Sequence, residues 1–286
     1  MFERIYLEIG NICNLNCSFC VGTKREKRQM SPDEFDQVLS KIKGRTKFVY
    51  LHLMGEPLLH RGLDLMLKIA KSHNIPVCIT TNGVLLDKKG GIILENSDIV
   101  HKVSISLHAR EANEISAGDD YLGKAVSFGK RAAEKGIFTV FRLWNEDSAE
   151  GKGKNSQNAE IQGFLKEKFP YEWQVRPKGF RLQKNIFLEY DGLFTWPAES
   201  KAGNQENGFC HALSNQLGIL VDGTVVPCCL DSEGEIRLGN IFDSSLEEIL
   251  EGSPAAEIKA GFQKGKFIHP LCKKCTFARK FKVRNN

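Results

Sequence analysis

The chain of 286 residues is 41% hydrophobic and 26% charged, with nine cysteines and a formal net charge of +5, which gives room for one large domain and a smaller appendage and excludes a disordered or fibrous protein. Apolar runs such as 48–53 fall far short of the ~18 residues of a spanning helix, and the start, with Glu3, Arg4 and Glu8, lacks the apolar core of a secretory signal, so a cytoplasmic protein without membrane attachment is expected. An odd number of cysteines with no export signal then points to metal ligands or reactive thiols rather than a disulfide framework.

Up to about residue 190, short β-rich runs alternate with longer helical patterns, which predicts βα units and a parallel sheet. Strands are expected at 4–9, 47–53, 76–80, 99–107, 137–143 and 185–190, and helices at 32–43, 62–73, 88–95, 122–135 and 160–168. Ser31 followed by Pro32 and Glu34 is a helix start signal, with a capping hydroxyl and proline in the first turn. Phe35, Val38, Leu39 and Ile42 then share one helical face. Residues 145–158 lack apolar periodicity and are rich in Gly, Asn and Ser, so they read as an exposed loop, either a tolerated insertion or a lid. From 197 the composition turns polar and then to short strands, turns and clustered cysteines, which places a domain boundary between 1–196 and 197–286.

Cys13, Cys17 and Cys20 form CxxxCxxC directly after the first expected strand. Three thiolates so close together imply one metal centre. Structural zinc sites close with four ligands, and no fourth ligand at knuckle spacing follows Cys20, so a coordination position is left open. A four-iron cluster held by three cysteines keeps one iron for an exogenous ligand. The motif, with Phe19 before its last cysteine, resembles the signature of the radical S-adenosylmethionine (SAM) superfamily. The resemblance implies a partial (β/α)6 TIM-like barrel. It further implies that the open iron chelates SAM and that reductive cleavage yields a 5′-deoxyadenosyl radical, which abstracts a substrate hydrogen.

In such a barrel the active site gathers at the C-terminal ends of the strands, and the unusual residues fall there. Met54, Gly55, Glu56 and Pro57 follow the second strand and resemble the family's Gly-Gly-Glu segment, whose backbone meets the SAM amino group; Met54 replaces its first glycine. Thr81, Asn82 and Gly83 end the third strand, where SAM contact by Asn82 and a plain turn are both open readings. Ser104 and Ser106 end the fourth, Ser106 at a family position whose hydroxyl contacts SAM. His108 stands where an acid is common and is a candidate acid/base or a structural hydrogen-bonding group. Arg142 matches a fifth-strand position that pairs with the SAM carboxylate, for which its planar fork is suited.

Cys210, Cys228, Cys272 and Cys275 form a second group, with Cys229 as a competing ligand for the Cys228 place. Alone, four such thiols suit zinc as well as iron and sulfur. The run from Cys210 through Gly223 to Cys228 resembles the opening of the SPASM pattern, and a closing CxxC with no cysteine after it resembles the shortened twitch form. The resemblance implies a C-terminal cysteine-rich domain holding one auxiliary four-iron cluster that conducts electrons, making two [4Fe-4S] clusters in all. Cys78 reads as a core thiol.

The basic run Lys24, Arg25, Lys27 and Arg28 is either a solvated loop or an anion-attracting rim. The C-terminal cations Lys273, Lys274, Arg279, Lys280, Lys282 and Arg284 surround Phe277 and Phe281, which suit either a nucleic-acid surface or packing about the auxiliary cluster. No RNA-binding module is visible, and the strand starting at residue 4 leaves no place for an N-terminal peptide-recognition domain. The expectation is a radical SAM oxidoreductase that takes electrons from a donor such as flavodoxin or ferredoxin and oxidises or rearranges a substrate the sequence does not select, a small molecule or a peptide of anionic or neutral kind. A maturase of a ribosomal peptide or RNA is the alternative within enzymes, and a non-catalytic zinc or iron–sulfur protein is the alternative outside them.

Overall fold

The structure is a computed structural model that describes residues 1–113, 120–146 and 155–281. Its elements in chain order are β1 (Phe2–Leu7), α1 (Pro32–Ile42), β2 (Thr46–Tyr50), α2 (Leu63–Ser72), β3 (Val77–Thr81), α3 (Leu86–Glu95), β4 (Val100–Ser106), α4 (Ala109–Ala112), α5 (Tyr121–Glu134), β5 (Phe138–Glu146), α6 (Asn158–Lys168), β6 (Gln174–Arg176), β7 (Gly179–Gln183) and β8 (Ile186–Gly192). The remainder carries β9 (Gln216–Ile219), β10 (Thr224–Val226), β11 (Gly239–Asn240), α7 (Leu246–Glu251), α8 (Ser253–Gln263) and α9 (Pro270–Lys273). Each strand and helix expected before residue 190 is present, with no end moved by more than three residues.

The chain divides into two compact units. One comprises Met1–Ile12, Val21–Gly55 and Phe194–Asn286. Its strands run in the order β11, β10, β9, β1, β2, with β1 parallel to both β2 and β9 and the β9–β10 and β10–β11 pairs antiparallel. Strand alternation buries Ile5 and Leu7 completely and turns Arg4, Tyr6 and Glu8 to the opposite face. Helix α1 has the full capping box: the Ser31 hydroxyl accepts from the Glu34 N–H, and the Glu34 carboxylate accepts from the Ser31 N–H. Its Phe35, Val38, Leu39 and Ile42 are all fully buried. β9 was not expected as a parallel neighbour of β1, because its four residues carry no periodic signal. The tight turn to β10 explains Gly223: its φ is +84°, and a Cβ there would overlap the Phe242 ring and the Asn240 side chain.

The other unit comprises Cys13–Cys20 and Glu56–Leu193, with strands in the order β3, β4, β5, β8, β7, β6. The β3–β4, β4–β5 and β5–β8 pairs are parallel, as the βα alternation predicts. β6 and β7 form an antiparallel hairpin continuing from β8, which the parallel pattern did not foretell. The expected loop at 145–158 lies largely outside the described residues, as do Lys282 and Arg284. Among the described residues no helix is long and apolar enough to cross a membrane.

Candidate functional site

The parallel register decides which strand-end side chains meet. Ser106 pairs with Arg142 and Ser104 with Val140 across β4 and β5, so alternation places Ser104, Ser106, Arg142 and Trp144 on one face. The Ser104 side chain is fully buried, and among the described residues its hydroxyl has no hydrogen-bond partner; the buried Trp144 indole N–H likewise has none among them. The Arg142 guanidinium carbon lies 4.0 Å from the centre of the Trp144 ring, a cation–π contact that restrains the side chain. Buried polar groups with nothing to satisfy them mark a place for a polar ligand.

His108 is buried, with Nδ1 3.0 Å from the Arg142 carbonyl oxygen and its ring 4.9 Å from that of Phe19. Burial lowers its pKa to about 4, the Arg142 carbonyl opposing and the Arg142 charge reinforcing the shift. The imidazole is therefore neutral near pH 7 and ties the end of β4 to β5 and to the cysteine loop.

Cys13, Cys17 and Cys20 lie on that loop in the same unit. Leu15 N–H reaches the Cys13 sulfur at 3.5 Å, and the Asn113 amide donates to the Cys17 sulfur at 3.1 Å. Partial desolvation pushes both thiols up, the Leu15 amide opposing at Cys13 and the Asn113 amide at Cys17. Asn82 approaches as well: its side-chain amide donates to Asn14 Oδ1 at 2.9 Å and stands 3.9 Å from the Cys13 sulfur. The turn 81–83 thus also braces the cysteine loop.

Glu56 anchors that turn. Its buried carboxylate accepts hydrogen bonds from the Leu58 N–H, the Thr81 hydroxyl and the Asn82 N–H; burial raises its pKa and those bonds oppose the rise. The Tyr121 hydroxyl donates to the Asn82 carbonyl at 2.7 Å. In the first unit, Gly55 has φ +81°, and a Cβ there would overlap the Gly10 carbonyl oxygen, so the Met-Gly-Glu-Pro segment keeps the glycine that a close backbone approach requires. The Met54 N–H donates to Glu8, so what the segment can offer an ammonium group is carbonyl oxygen.

Glu8 is a centre that sequence reasoning missed. Fully buried, it accepts from Met54 N–H, Val221 N–H and, at 2.7 Å, the Arg25 guanidinium. Arg25 also bonds the Ser232 carbonyl, Lys27 the Asn11 and Thr23 carbonyls, and Arg28 the Glu34 carboxylate. Three cations of the basic run thereby have partners within the protein, Arg25 largely buried, Arg28 half-buried and Lys27 exposed.

In the same unit Cys210, Cys228, Cys272 and Cys275 line one apolar cavity with Pro197, Leu230, Ile236 and Leu271. Burial pushes Cys210 up to about 11 and raises Cys228, Cys272 and Cys275 as well, neighbouring thiols adding to the rise at the first three. Cys229 does not line this cavity; burial takes its pKa to about 11, with the Tyr6 hydroxyl opposing the rise. Phe277 and Phe281 meet edge to face, as do Phe277 with Phe194 and Phe281 with His211, so these aromatics take part in packing. Cys78 is buried in β3.

Both thiol sets suit iron–sulfur clusters: soft donors, one set three-fold on a loop, the other four-fold in an apolar cavity. Among the described residues no three His, Cys, Asp or Glu side chains converge as ligands of a single metal ion, and a cubane spreads its thiolates more widely than a tetrahedral zinc does.

Comparison with known proteins agrees with this geometry. The profile of the radical SAM superfamily matches residues 7–144, and that of the SPASM iron–sulfur cluster-binding domain matches residues 210–276. The chain is 24% identical to a cysteine-type anaerobic sulfatase-maturating enzyme of Clostridium perfringens over 93% of its own length and 84% of that protein's. It is 22% identical to the S-adenosyl-L-methionine-dependent 2-deoxy-scyllo-inosamine dehydrogenase of Niallia circulans, over 96% of the chain and 93% of the relative. Among solved structures, BtrN in complex with AdoMet and 2-DOIA superposes with a TM-score of 0.62 at 18% identity, covering 96% of this chain and 93% of that one. AdoMet-bound anSMEcpe also gives 0.62, at 16% identity, covering 98% and 87%. The likeness shows the fold, the α/β partial-barrel type of radical SAM enzymes with a distinct cysteine-rich C-terminal region, as the sequence predicts. The two profiles imply SAM binding and iron–sulfur clusters. The chain belongs to the radical SAM superfamily, as an enzyme of AdoMet radical chemistry with a SPASM-type auxiliary iron–sulfur region.

Proposed function

We propose that the protein is a cytoplasmic radical SAM dehydrogenase of a small molecule, in which bound SAM and its cluster supply a 5′-deoxyadenosyl radical that takes a hydrogen atom from the substrate. Cys13, Cys17 and Cys20 would hold the SAM-binding four-iron cluster. Cys210, Cys228, Cys272 and Cys275 would hold a second, fully ligated one that accepts the substrate's remaining electron, with flavodoxin or ferredoxin as the external donor. The barrel domain is assigned to 1–196 and the auxiliary domain to 197–286. The observation that carries this reading is the contrast between the donor sets: three thiols on a loop, four around one cavity.

Arg142, held against Trp144, would fork onto the SAM carboxylate, with Ser104 and Ser106 offering hydroxyls beside it. Carbonyl oxygens of Met54, Gly55 and Glu56 would accept from the SAM ammonium. Phe19 and Asn82 brace the loop and the neighbouring turn. His108, neutral and bonded to the main chain, acts in this reading by holding strand ends rather than by carrying a proton.

Coverage of nearly the full length of a dehydrogenase relative supports the small-molecule substrate. A second reading, maturation of a peptide, is supported by the comparable likeness to a sulfatase-maturating enzyme. Anaerobic reconstitution followed by cleavage assays tests both. About eight irons per chain and 5′-deoxyadenosine formed only with reductant are expected, with deuterium transferred into it from a labelled aminocyclitol. Deuterium transfer from a peptide instead would favour the second reading; bound zinc with no cleavage would sink both.

A further inference from the structure

We infer that Asn113 sets the reduction potential of the cluster held by Cys13, Cys17 and Cys20, by donating its side-chain amide to the Cys17 sulfur. The inference rests on the ligand assignment proposed above. Asn113 follows the single turn of α4, and its carboxamide is held at every polar atom. The amide nitrogen donates to the Ala109 carbonyl at 2.8 Å and to the Cys17 sulfur at 3.1 Å, while Oδ1 accepts from the Asn16 N–H at 3.0 Å. Turning the group over would set oxygen against the Ala109 oxygen and amide hydrogens against the Asn16 N–H, so its orientation is fixed by the network.

A residue closing a helix needs only one of these bonds. The second amide hydrogen, aimed at sulfur, is surplus to that task. Asn82 makes a longer and weaker contact of the same kind, its amide donating to Asn14 Oδ1 at 2.9 Å and to the Cys13 sulfur at 3.9 Å. The turn that carries Asn113 is itself anchored. Buried Glu111 accepts from the Ser156 N–H and hydroxyl, and buried Arg110 pairs with Glu160 at 3.0 Å. Asn113 is thus a positioning residue with a preset donor, the kind of outer contact that tunes a metal centre. A donor on a ligating thiolate stabilises the more negative, reduced cluster more than the oxidised one and so raises its potential.

The test uses the full chain reconstituted anaerobically as wild type, Asn113→Ala and Asn113→Asp, the last keeping the acceptor for Asn16 while replacing the donor with negative charge. Potentiometric titration follows the electron paramagnetic resonance signal that changes on adding SAM. Wild-type iron content with a midpoint shifted negative in Asn113→Ala, and further in Asn113→Asp, is expected; unmoved midpoints in both overturn the inference. Where a variant takes up less iron, Asn82→Ala protein grown on asparagine labelled with 15N in its side chain decides: nitrogen hyperfine coupling to the reduced cluster supports the inference, and its absence overturns it. A Cys17→Ala protein that keeps the SAM-responsive signal would instead overturn the ligand assignment beneath it.

Discussion

The Asn82 main-chain N–H donates to the Glu56 carboxylate at 2.8 Å, so the segment after β2 and the turn after β3 are joined by one buried acid. The other carboxylate oxygen accepts from the Leu58 N–H and the Thr81 hydroxyl. Glu56→Gln turns one acceptor into a donor, and on either side a main-chain N–H then faces an amide NH2. A loss of ~1–3 kcal/mol is expected for buried donors left unmatched, read as a lower urea midpoint with unchanged slope. An unchanged midpoint would mean that the acid is dispensable.

Gly55 and Gly44 separate close approach from backbone conformation. Both have positive φ, +81° and +75°, but a Cβ at 55 meets the Gly10 carbonyl oxygen whereas nothing lies within 4 Å at 44. Gly44→Ala should cost ~1–2 kcal/mol for the left-handed conformation alone. Gly55→Ala should cost ~2–5 kcal/mol, because an overpacking penalty of ~1–3 kcal/mol is added. Equal losses in denaturant titrations would count against the close approach.

Much of the fold was legible because its signals are periodic. Phe35, Val38, Leu39 and Ile42 announce α1, and the βα alternation announces β1 to β5. What periodicity cannot carry was missed. α4 is one turn long, so Asn113 stood in an unremarked stretch. Glu8 and Arg25 are 17 residues apart, and an ion pair at that separation leaves no local pattern; one read as a charge near the start, the other as part of a basic run. The strand-end residues were visible since a parallel sheet makes their position predictable, but Tyr121, which holds the Asn82 carbonyl from the start of α5, had no such cue.

His108 makes a pH prediction. Its folded pKa of about 4 lies below the ordinary histidine value of 6.5, so the unfolded chain binds more protons between the two. Stability is therefore full above pH 6.5 and is lost as pH falls towards 4, by about 3 kcal/mol at 1.36 kcal/mol per unit. His108→Gln removes that contribution. Denaturation from pH 7 to 4 should show the wild type losing more than the variant by about this amount, and parallel curves would place the imidazole in contact with water.

Cys228 and Cys229 are adjacent, and spacing alone does not separate them as ligands. Cys228 lines the cavity shared with Cys210, Cys272 and Cys275, whereas Cys229 does not, so the proposed assignment takes Cys228 as the ligand. A four-iron cluster missing one of its four thiolates is destabilised, since each iron needs its own terminal ligand. Cys228→Ala should therefore reduce reconstituted iron from about eight to about four per chain, with the SAM-responsive signal kept. Cys229→Ala should retain about eight, because under this assignment it removes a thiol outside the cavity and no ligand. Iron and sulfide analysis of the two proteins, prepared side by side, gives the answer: the reverse pattern would move the auxiliary ligand to Cys229 and require the 228–229 segment to turn over.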